Sequence, residues 1–122
     1  MKVLVVEDEP NNMKLMSIVL KKHGHEPVEA FTGQEGAEKA ASSRPDLILM
    51  DIKLPDMDGL EVTRRIRKIK NMKDVPIIAI TSYAMAGDRE EVTKAGCNGY
   101  FEKPINPLTI MNEIEAILKE RT

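Results

Sequence analysis

The sequence predicts an α/β domain in which helices cover both faces of one parallel β-sheet. Short apolar runs rich in β-branched residues alternate with patterns of helical spacing along the chain. The run at residues 46–51 is apolar throughout its centre, as in a strand buried on both faces, and such strands belong to parallel sheets. The connections between these elements are short, which favours right-handed crossovers within a single sheet.

Five short runs are predicted to be strands of this sheet. The second run is weaker than the others and has no polar group at its end, so we expect it to lie away from any functional site. Proline closely brackets the third run, which argues against a helix there. The predicted strands cover residues 2–6, 26–31, 46–51, 76–81 and 99–102.

Each predicted strand is followed by a helical pattern. Pro10 opens the first helix, since the first turn of a helix tolerates proline, and Thr32 and Glu35 have the spacing of a capping box that opens the second. Asn106 and Pro107 supply a cap and a first-turn proline for the last helix. The helical patterns cover residues 10–23, 32–42, a segment after Gly59 with Val62, Ile66 and Ile69 on one face, 84–95, and the segment after Asn106.

Length, charge and cysteine content exclude several classes of protein. The 122 residues suffice for one core, so we expect one domain over 1–122 with no output domain. The net charge of −2 is close to balance and points to neither a nucleic acid nor an anionic membrane as partner, and the scarcity of aromatic residues argues against stacking on single-stranded nucleic acid. The single cysteine, Cys97, excludes an internal disulfide, and we expect it to be a buried or half-buried packing residue. No apolar run approaches the roughly 20 residues that span a bilayer, so we expect a cytoplasmic protein.

Chemically active side chains follow four of the five predicted strands. Glu7 and Asp8 follow the first strand, Asp51 ends the third, Thr81 ends the fourth and Lys103 follows the fifth. Parallel strands bring their carboxyl ends to one edge of the sheet, where open α/β folds bind ligands. Taken singly, these groups would be interpreted as a helix cap, a strand hydroxyl and a surface charge. Their joint occurrence at four strand ends favours a functional site.

The residue types in this site point to metal-dependent phosphoryl chemistry. Three neighbouring carboxylates repel one another, and a hard cation such as Mg²⁺ or Mn²⁺ relieves that repulsion with oxygen ligands alone. No cysteines and histidines are placed to hold zinc. With the charge neutralised, Asp51 can attack a phosphoryl group and form an aspartyl phosphate. Thr81 can then donate a hydrogen bond to one phosphoryl oxygen, and Lys103 can pair with another.

These residues carry a resemblance to a known family. Over essentially its whole length the sequence resembles the receiver domain of two-component response regulators. The motifs that match are the acidic pair Glu7-Asp8, the segment 49–55 around Asp51, Asp58-Gly59, Thr81, and Lys103-Pro104.

The resemblance implies a flavodoxin-like fold with strand order 2-1-3-4-5. It implies that Asp51 accepts a phosphoryl group from the phosphohistidine of a histidine kinase or phosphotransfer protein. It also implies that Asp8, Asp51 and the backbone carbonyl of Lys53 bind Mg²⁺ directly, while Glu7 contributes largely through water. Tyr100 matches the aromatic residue that changes rotamer together with the threonine on activation.

The resemblance further implies a switch that binds other proteins. The expected partner surface is formed by helix 4, strand 5 and helix 5, and the expected assembly is a monomer or weak dimer. Within the family the sequence is similar to stand-alone regulators and to receivers of hybrid histidine kinases. Lys53 and Tyr83 flank the path of a hydrolytic water, so the lifetime of the phosphoryl group stays open.

Two other function classes compete with a switch. A metal-dependent phosphatase that forms a phospho-aspartate would have a second acid two residues after its nucleophile, and Lys53 occupies that position instead. A flavin or nucleotide module would have a glycine-rich loop after the first strand, but the sequence at 7–10 is acidic and would repel phosphate in the absence of a metal.

Two clusters outside the strand ends also have competing interpretations. His23 and His25 are two residues apart, whereas metal ligands on a helix are usually four apart, so helix-end solvation is favoured over a metal site. A basic segment could bind an acidic partner, but a solvated helix face with pairs to Glu61 is favoured. Its members are Arg64, Arg65, Arg67, Lys68 and Lys70.

Overall fold

The computed structural model describes residues 1–81 and 86–120, without the side chains of 86–89. Strands and helices alternate along the chain, as predicted. The strands are Lys2–Val6 (β1), Glu26–Ala30 (β2), Leu47–Asp51 (β3), Ile77–Thr81 (β4) and Gly99–Glu102 (β5). The helices are Pro10–Lys22 (α1), Gly33–Ser43 (α2), Gly59–Arg67 (α3), Ala86–Ala95 (α4) and Ile110–Glu120 (α5).

The five strands form one sheet in the order β2-β1-β3-β4-β5, and every neighbouring pair is parallel. This confirms the doubly wound, flavodoxin-like architecture. β2 and β3 lie on opposite sides of β1, so the direction of the chain across the sheet reverses after β2. The helices that follow β1 and β3 therefore lie on opposite faces of the sheet. The sheet therefore opens a crevice at the carboxyl ends of β1 and β3.

Two apolar cores lie on the two faces of the sheet. Successive residues of β3 alternate between them, since side chains of a strand point to opposite faces: Ile48 and Met50 pack with α2, α3 and α4, whereas Leu47 and Leu49 pack with α1 and α5. All five residues of β3, and all five of β4, are buried. The fully buried apolar runs were the sequence signal for these central strands.

Helix ends follow the predicted caps, with one difference at α5. Thr32 Oγ1 accepts a hydrogen bond from the amide of Glu35 at 3.1 Å, as expected for an N-cap of α2. Asn106 caps the turn that leads into α5: its Oδ1 accepts from the amide of Leu108 at 2.9 Å, and its carbonyl accepts from the amides of Thr109 (3.1 Å) and Ile110 (2.9 Å). The tight turn delays the regular helix to Ile110. None of the helices in the described part of the chain has the length and apolar character to cross a membrane.

Candidate functional site

Main-chain hydrogen bonds between the parallel strands bring four of the predicted site residues to one edge of the sheet. Asp51 is the last residue of β3 and Thr81 the last of β4, in neighbouring strands. Glu7 follows β1, and its amide donates to Ala30 in β2 at 3.0 Å. Lys103 follows β5, and its amide donates to the carbonyl of Thr81 at 2.7 Å. The positions of these four groups thus follow from main-chain pairing at the strand ends.

Three carboxylates gather at this edge. Glu7, Asp8 and Asp51 each place a carboxylate oxygen within 4.8 Å of the others. Glu7 and Asp51 are buried, with 6 % and 4 % of their surface exposed, whereas Asp8 faces solvent. Burial raises the pKa of Glu7, and its contact with Asp51 raises that pKa further, although Lys103 acts in the opposite direction.

The donor set of this cluster fits a hard divalent cation. All three side chains offer oxygen, the exposed Asp8 gives access from solvent, and the crowded negative charge is relieved by a cation. The cluster opens into a cleft of about 310 Å³. Its lining consists of Glu7, Asp8, Glu9, Asn12, Asp51, Lys53, Thr81 and Lys103.

Lys103 joins the two buried carboxylates. Its Nζ lies 2.8 Å from Glu7 Oε1 and 3.1 Å from Asp51 Oδ2. Burial alone would lower the pKa of this ammonium, but the hydrogen bonds to both carboxylates and their negative charge outweigh burial and raise it. Lys103 therefore stays protonated at neutral pH and offsets part of the charge of Glu7 and Asp51.

The loop after β3 approaches Asp51 from its other side. The amide of Lys53 donates to Asp51 Oδ1 at 3.2 Å, so each oxygen of this carboxylate accepts a hydrogen bond from a protein N–H group. Gly59 passes so close that a Cβ there would lie 2.1 Å from the carbonyl oxygen of Asp51. The Asp58-Gly59 pair is needed because Asp58 caps α3 through Leu60, at 2.7 Å, while Gly59 lets the backbones approach.

Tyr100 lies in the edge strand β5, half-buried against the core formed with α2, α3 and α4. Its register partner in β4 is Ala79, two residues before Thr81. Tyr100 is thus one strand away from the threonine, on the side of α4. Tyr83, the second position expected to influence hydrolysis, lies outside the described residues.

Several other predictions can be compared with the structure. Cys97 is buried, as expected for a packing residue. Arg64 and Arg65 both pair with Glu61, at 3.3 and 3.4 Å, as expected for a solvated face. Arg67 does not belong to that face. Its guanidinium donates to the carbonyls of Gly96, Met72 and Val75 and to the side chain of Asn98.

The two histidines have ordinary hydrogen-bond partners rather than a common ligand. His23 Nδ1 lies 2.9 Å from the carbonyl of Val19, and His25 Nδ1 accepts from the amino group of Met1 at 3.0 Å. Among the described residues, one group of three or more histidine, cysteine or acidic side chains could hold a metal. It is the acidic cluster of Glu7, Asp8 and Asp51.

Sequence reasoning missed Asp56. Its carboxylate accepts hydrogen bonds from the amides of Gly33 (2.7 Å) and Gln34 (2.9 Å), which begin α2. These two bonds hold the pKa of Asp56 below its usual range. No local pattern marks such a residue, because its partners are more than twenty positions away in the chain.

The profile of the response regulator receiver domain matches residues 3–115 of the chain. The chain belongs to this family. This receiver domain is similar to the polar-differentiation response regulator DivK of Brucella anthropi, with 40 % identity over 95 % of this chain and 94 % of the relative. The likeness to stand-alone regulators is thereby confirmed.

Solved structures agree with this assignment. The chemotaxis response regulator CheY4 of Vibrio cholerae superimposes with a TM-score of 0.91 at 30 % identity, covering 95 % of this chain and 97 % of that one. The receiver domain of the sensor histidine kinase PA1611 of Pseudomonas aeruginosa has a TM-score of 0.87 at 36 % identity, covering 97 % of each chain. That structure has a magnesium ion coordinated in its active-site cleft.

The general properties of the family bear on this site. Receiver domains are phosphoacceptor switches in two-component signalling, and they bind Mg²⁺ at an acidic pocket. They interact with histidine kinases or phosphotransfer proteins and with downstream targets. The acidic cluster of this receiver domain has the composition of such a pocket.

Proposed function

We propose that Asp51 is the phosphoacceptor of this receiver domain and takes its phosphoryl group from the phosphohistidine of a histidine kinase or phosphotransfer protein. The observation that carries the proposal is the position of Asp51: a buried carboxylate at the end of a central strand, in contact with Lys103 and open to the cleft. In the reaction, a carboxylate oxygen of Asp51 forms a bond to phosphorus while the P–N bond of the donor breaks. The electron pair of that bond stays on the imidazole.

Mg²⁺ is the cofactor that we propose for this step, with Mn²⁺ as a substitute. Asp8, Asp51 and the carbonyl of Lys53 would hold it directly, and Glu7 largely through water. When bound, the ion neutralises charge on the carboxylates and the phosphoryl oxygens. The support is the all-oxygen donor set and the magnesium ion recorded in the PA1611 receiver domain.

Lys103 and Thr81 hold the product in this proposal. The ammonium of Lys103 already contacts Asp51, so it can pair with a phosphoryl oxygen with little movement. Thr81 is buried and lines the same cleft, at the end of the neighbouring strand, so its hydroxyl can donate to another oxygen. Phosphorylation thus draws on groups that the fold has placed beforehand.

The proposed consequence is a change in protein binding. Thr81 and Tyr100 would move together, and the surface of α4, β5 and α5 would then prefer a different partner. Such a switch needs only a difference of a few kcal/mol between two states that already exist. In this proposal the domain gains and loses its own phosphoryl group and does not turn over any other substrate.

Mass spectrometry after incubation with Mg²⁺ and acetyl phosphate tests the phosphoacceptor. We expect a mass gain of one phosphoryl group on the wild type, none on Asp51→Asn, and none when the metal is removed by chelation. Asp46→Asn is the matched control, because Asp46 lies just before the opposite end of the same strand and is exposed. An adduct that persists on Asp51→Asn, or a wild type without one, would refute the proposal.

A further inference from the structure

The loop between β3 and α3 is closed at its base by main-chain pairing, and this base contacts Asp51. Lys53 and Asp58 pair as an antiparallel bridge, and the residues between them form the tip of the loop. At the base, the amide of Lys53 donates to Asp51 Oδ1 at 3.2 Å, and the amide of Gly59 donates to the carbonyl of Ile52 at 2.7 Å. The loop position of Lys53 is thereby coupled to the position of the Asp51 carboxylate.

The tip of this loop is attached to the first turn of α2. The two oxygens of Asp56 accept hydrogen bonds from the amides of Gly33 and Gln34, at 2.7 and 2.9 Å. Gly33 also packs directly against the tip, since a Cβ on it would lie 2.6 Å from Met57 Cγ. The contact therefore combines two charge-assisted hydrogen bonds with a close backbone approach.

The first turn of α2 is capped by two side chains of different origin. Thr32 belongs to the chain segment of α2 and accepts from the amide of Glu35. Asp56 comes from the β3–α3 loop and satisfies the two preceding amides. Both residues stabilise the same helix end, but only Asp56 connects that end to the acidic cluster.

We propose that Asp56 is a positioning residue of the metal site, which fixes the β3–α3 loop on α2 so that the carbonyl of Lys53 faces the ion and its amide faces Asp51. This inference rests on the proposed function, in which that carbonyl is a ligand. Asp56 itself acts through Lys53 and has no contact with the reacting groups in this scheme.

Other contacts of the loop limit the effect of removing Asp56. Leu54 and Met57 are half-buried against the core, so they keep the loop near its position when Asp56 is removed. The loop is then loosened rather than released. We expect Asp56→Ala to weaken Mg²⁺ binding about tenfold, the lower end of the cost of removing a group that orients a metal ligand.

Magnesium titration by calorimetry, with the metal alone, separates positioning from helix stability. Thr32→Ala is the matched control because it removes the other cap of α2 and leaves the Asp56 bonds in place. We expect wild-type affinity in Thr32→Ala, about tenfold weaker binding in Asp56→Ala, and an intermediate value in Asp56→Asn, whose amide oxygen can still accept one bond. Equal weakening in Thr32→Ala and Asp56→Ala, or wild-type affinity in Asp56→Ala, would overturn the inference.

Amide hydrogen exchange in the metal-free protein gives a second readout that does not depend on the ion. We expect Asp56→Ala to speed exchange at Gly33, Gln34 and also Lys53, whereas Thr32→Ala speeds exchange at Glu35 and leaves Lys53 unchanged. If the wild type bound no Mg²⁺, the proposed metal site would fail while exchange at Lys53 would still test the loop contact. Unchanged exchange at Lys53 in both Asp56 variants would reject the positioning role.

Discussion

The ammonium nitrogen of Lys103 lies 2.8 Å from Oε1 of Glu7, a residue ninety-six positions earlier in the chain. The same nitrogen reaches Asp51, so one cation serves two buried carboxylates from two different strand ends. In the described part of the chain, Lys103 is therefore the residue that forms ion pairs with both of these carboxylates.

Replacing Lys103 with Met should destabilise the metal-free protein. The change leaves Glu7 and Asp51 buried without their cation, and we expect a loss of about 2 kcal/mol, less than the 3–5 kcal/mol of a fully buried pair because the Lys103 side chain is 19 % exposed. Mg²⁺ should restore part of the loss. Urea unfolding with and without Mg²⁺ measures both effects.

Lys39→Met is the control for Lys103→Met. Lys39 forms a surface pair with Glu35 in which both side chains are about 40 % exposed, so we expect a loss below ~1 kcal/mol and no effect of Mg²⁺. Similar losses in the two variants would contradict the role assigned to Lys103.

Replacing Gly59 with Ala should cost at least ~3 kcal/mol, the upper end of the cost of overpacking. The added Cβ would meet backbone atoms of Asp51 and Ile52, which have no flexible side chain to move aside. Gly24→Ala is the comparison, because Gly24 has φ +81° but open space around it, and we expect ~1 kcal/mol from backbone strain alone. Thermal unfolding of the two variants checks the order, and a larger cost at Gly24 would refute it.

Arg67→Ala should destabilise the protein by roughly 3 kcal/mol. The reason is that the carbonyl groups of Gly96, Met72 and Val75 lose a charged donor at once. Arg67→Lys should restore little, since an ammonium cannot reproduce the planar set of donors. Arg64→Ala on the exposed face should cost less than ~1 kcal/mol. Denaturant unfolding decides between these expectations, and equal losses at positions 64 and 67 would show that Arg67 is a surface charge.

The stability difference between the wild type and Asp56→Asn should depend on pH. The hydrogen bonds from Gly33 and Gln34 hold the pKa of Asp56 below its unfolded value, so its ionised form favours the folded state. The difference should be fully present above the unfolded pKa of aspartate, about 3.9, and should vanish as the pH falls through the lower folded value. Urea unfolding between neutral and acidic pH tests this. The gap between the wild type and Thr32→Ala should stay constant.

The sheet and the acidic cluster could be predicted because both follow from features that are local in sequence. The burial of β3 is visible in its apolar run, and Asp51 follows from where that run ends. The architecture then brings Asp51 and Lys103 together, since parallel strands share one edge. The weak strand β2, which we expected to lie away from the site, is at the edge of the sheet.

The contacts of Asp56 and Arg67 could not be predicted in this way. Arg67 occurs in a basic run with Arg64 and Arg65, and only the fold shows that it turns inward to Gly96 while they stay in solvent. Asp56 resembles any polar loop residue until α2 is placed beside it. Both residues bind backbone groups of distant segments, and backbone groups carry no sequence signal of their own.

The span of the site along the chain, from Glu7 to Lys103, has a consequence for synthesis on the ribosome. The carboxylates of Glu7 and Asp51 emerge long before Lys103, which is translated last among the charged groups of this site. A nascent chain that ends before β5 therefore has these two acidic groups without the ammonium that pairs with both, so burying them is unfavourable. Docking of the last strand makes the pocket complete, so the chain can receive a signal only after β5 has joined the sheet.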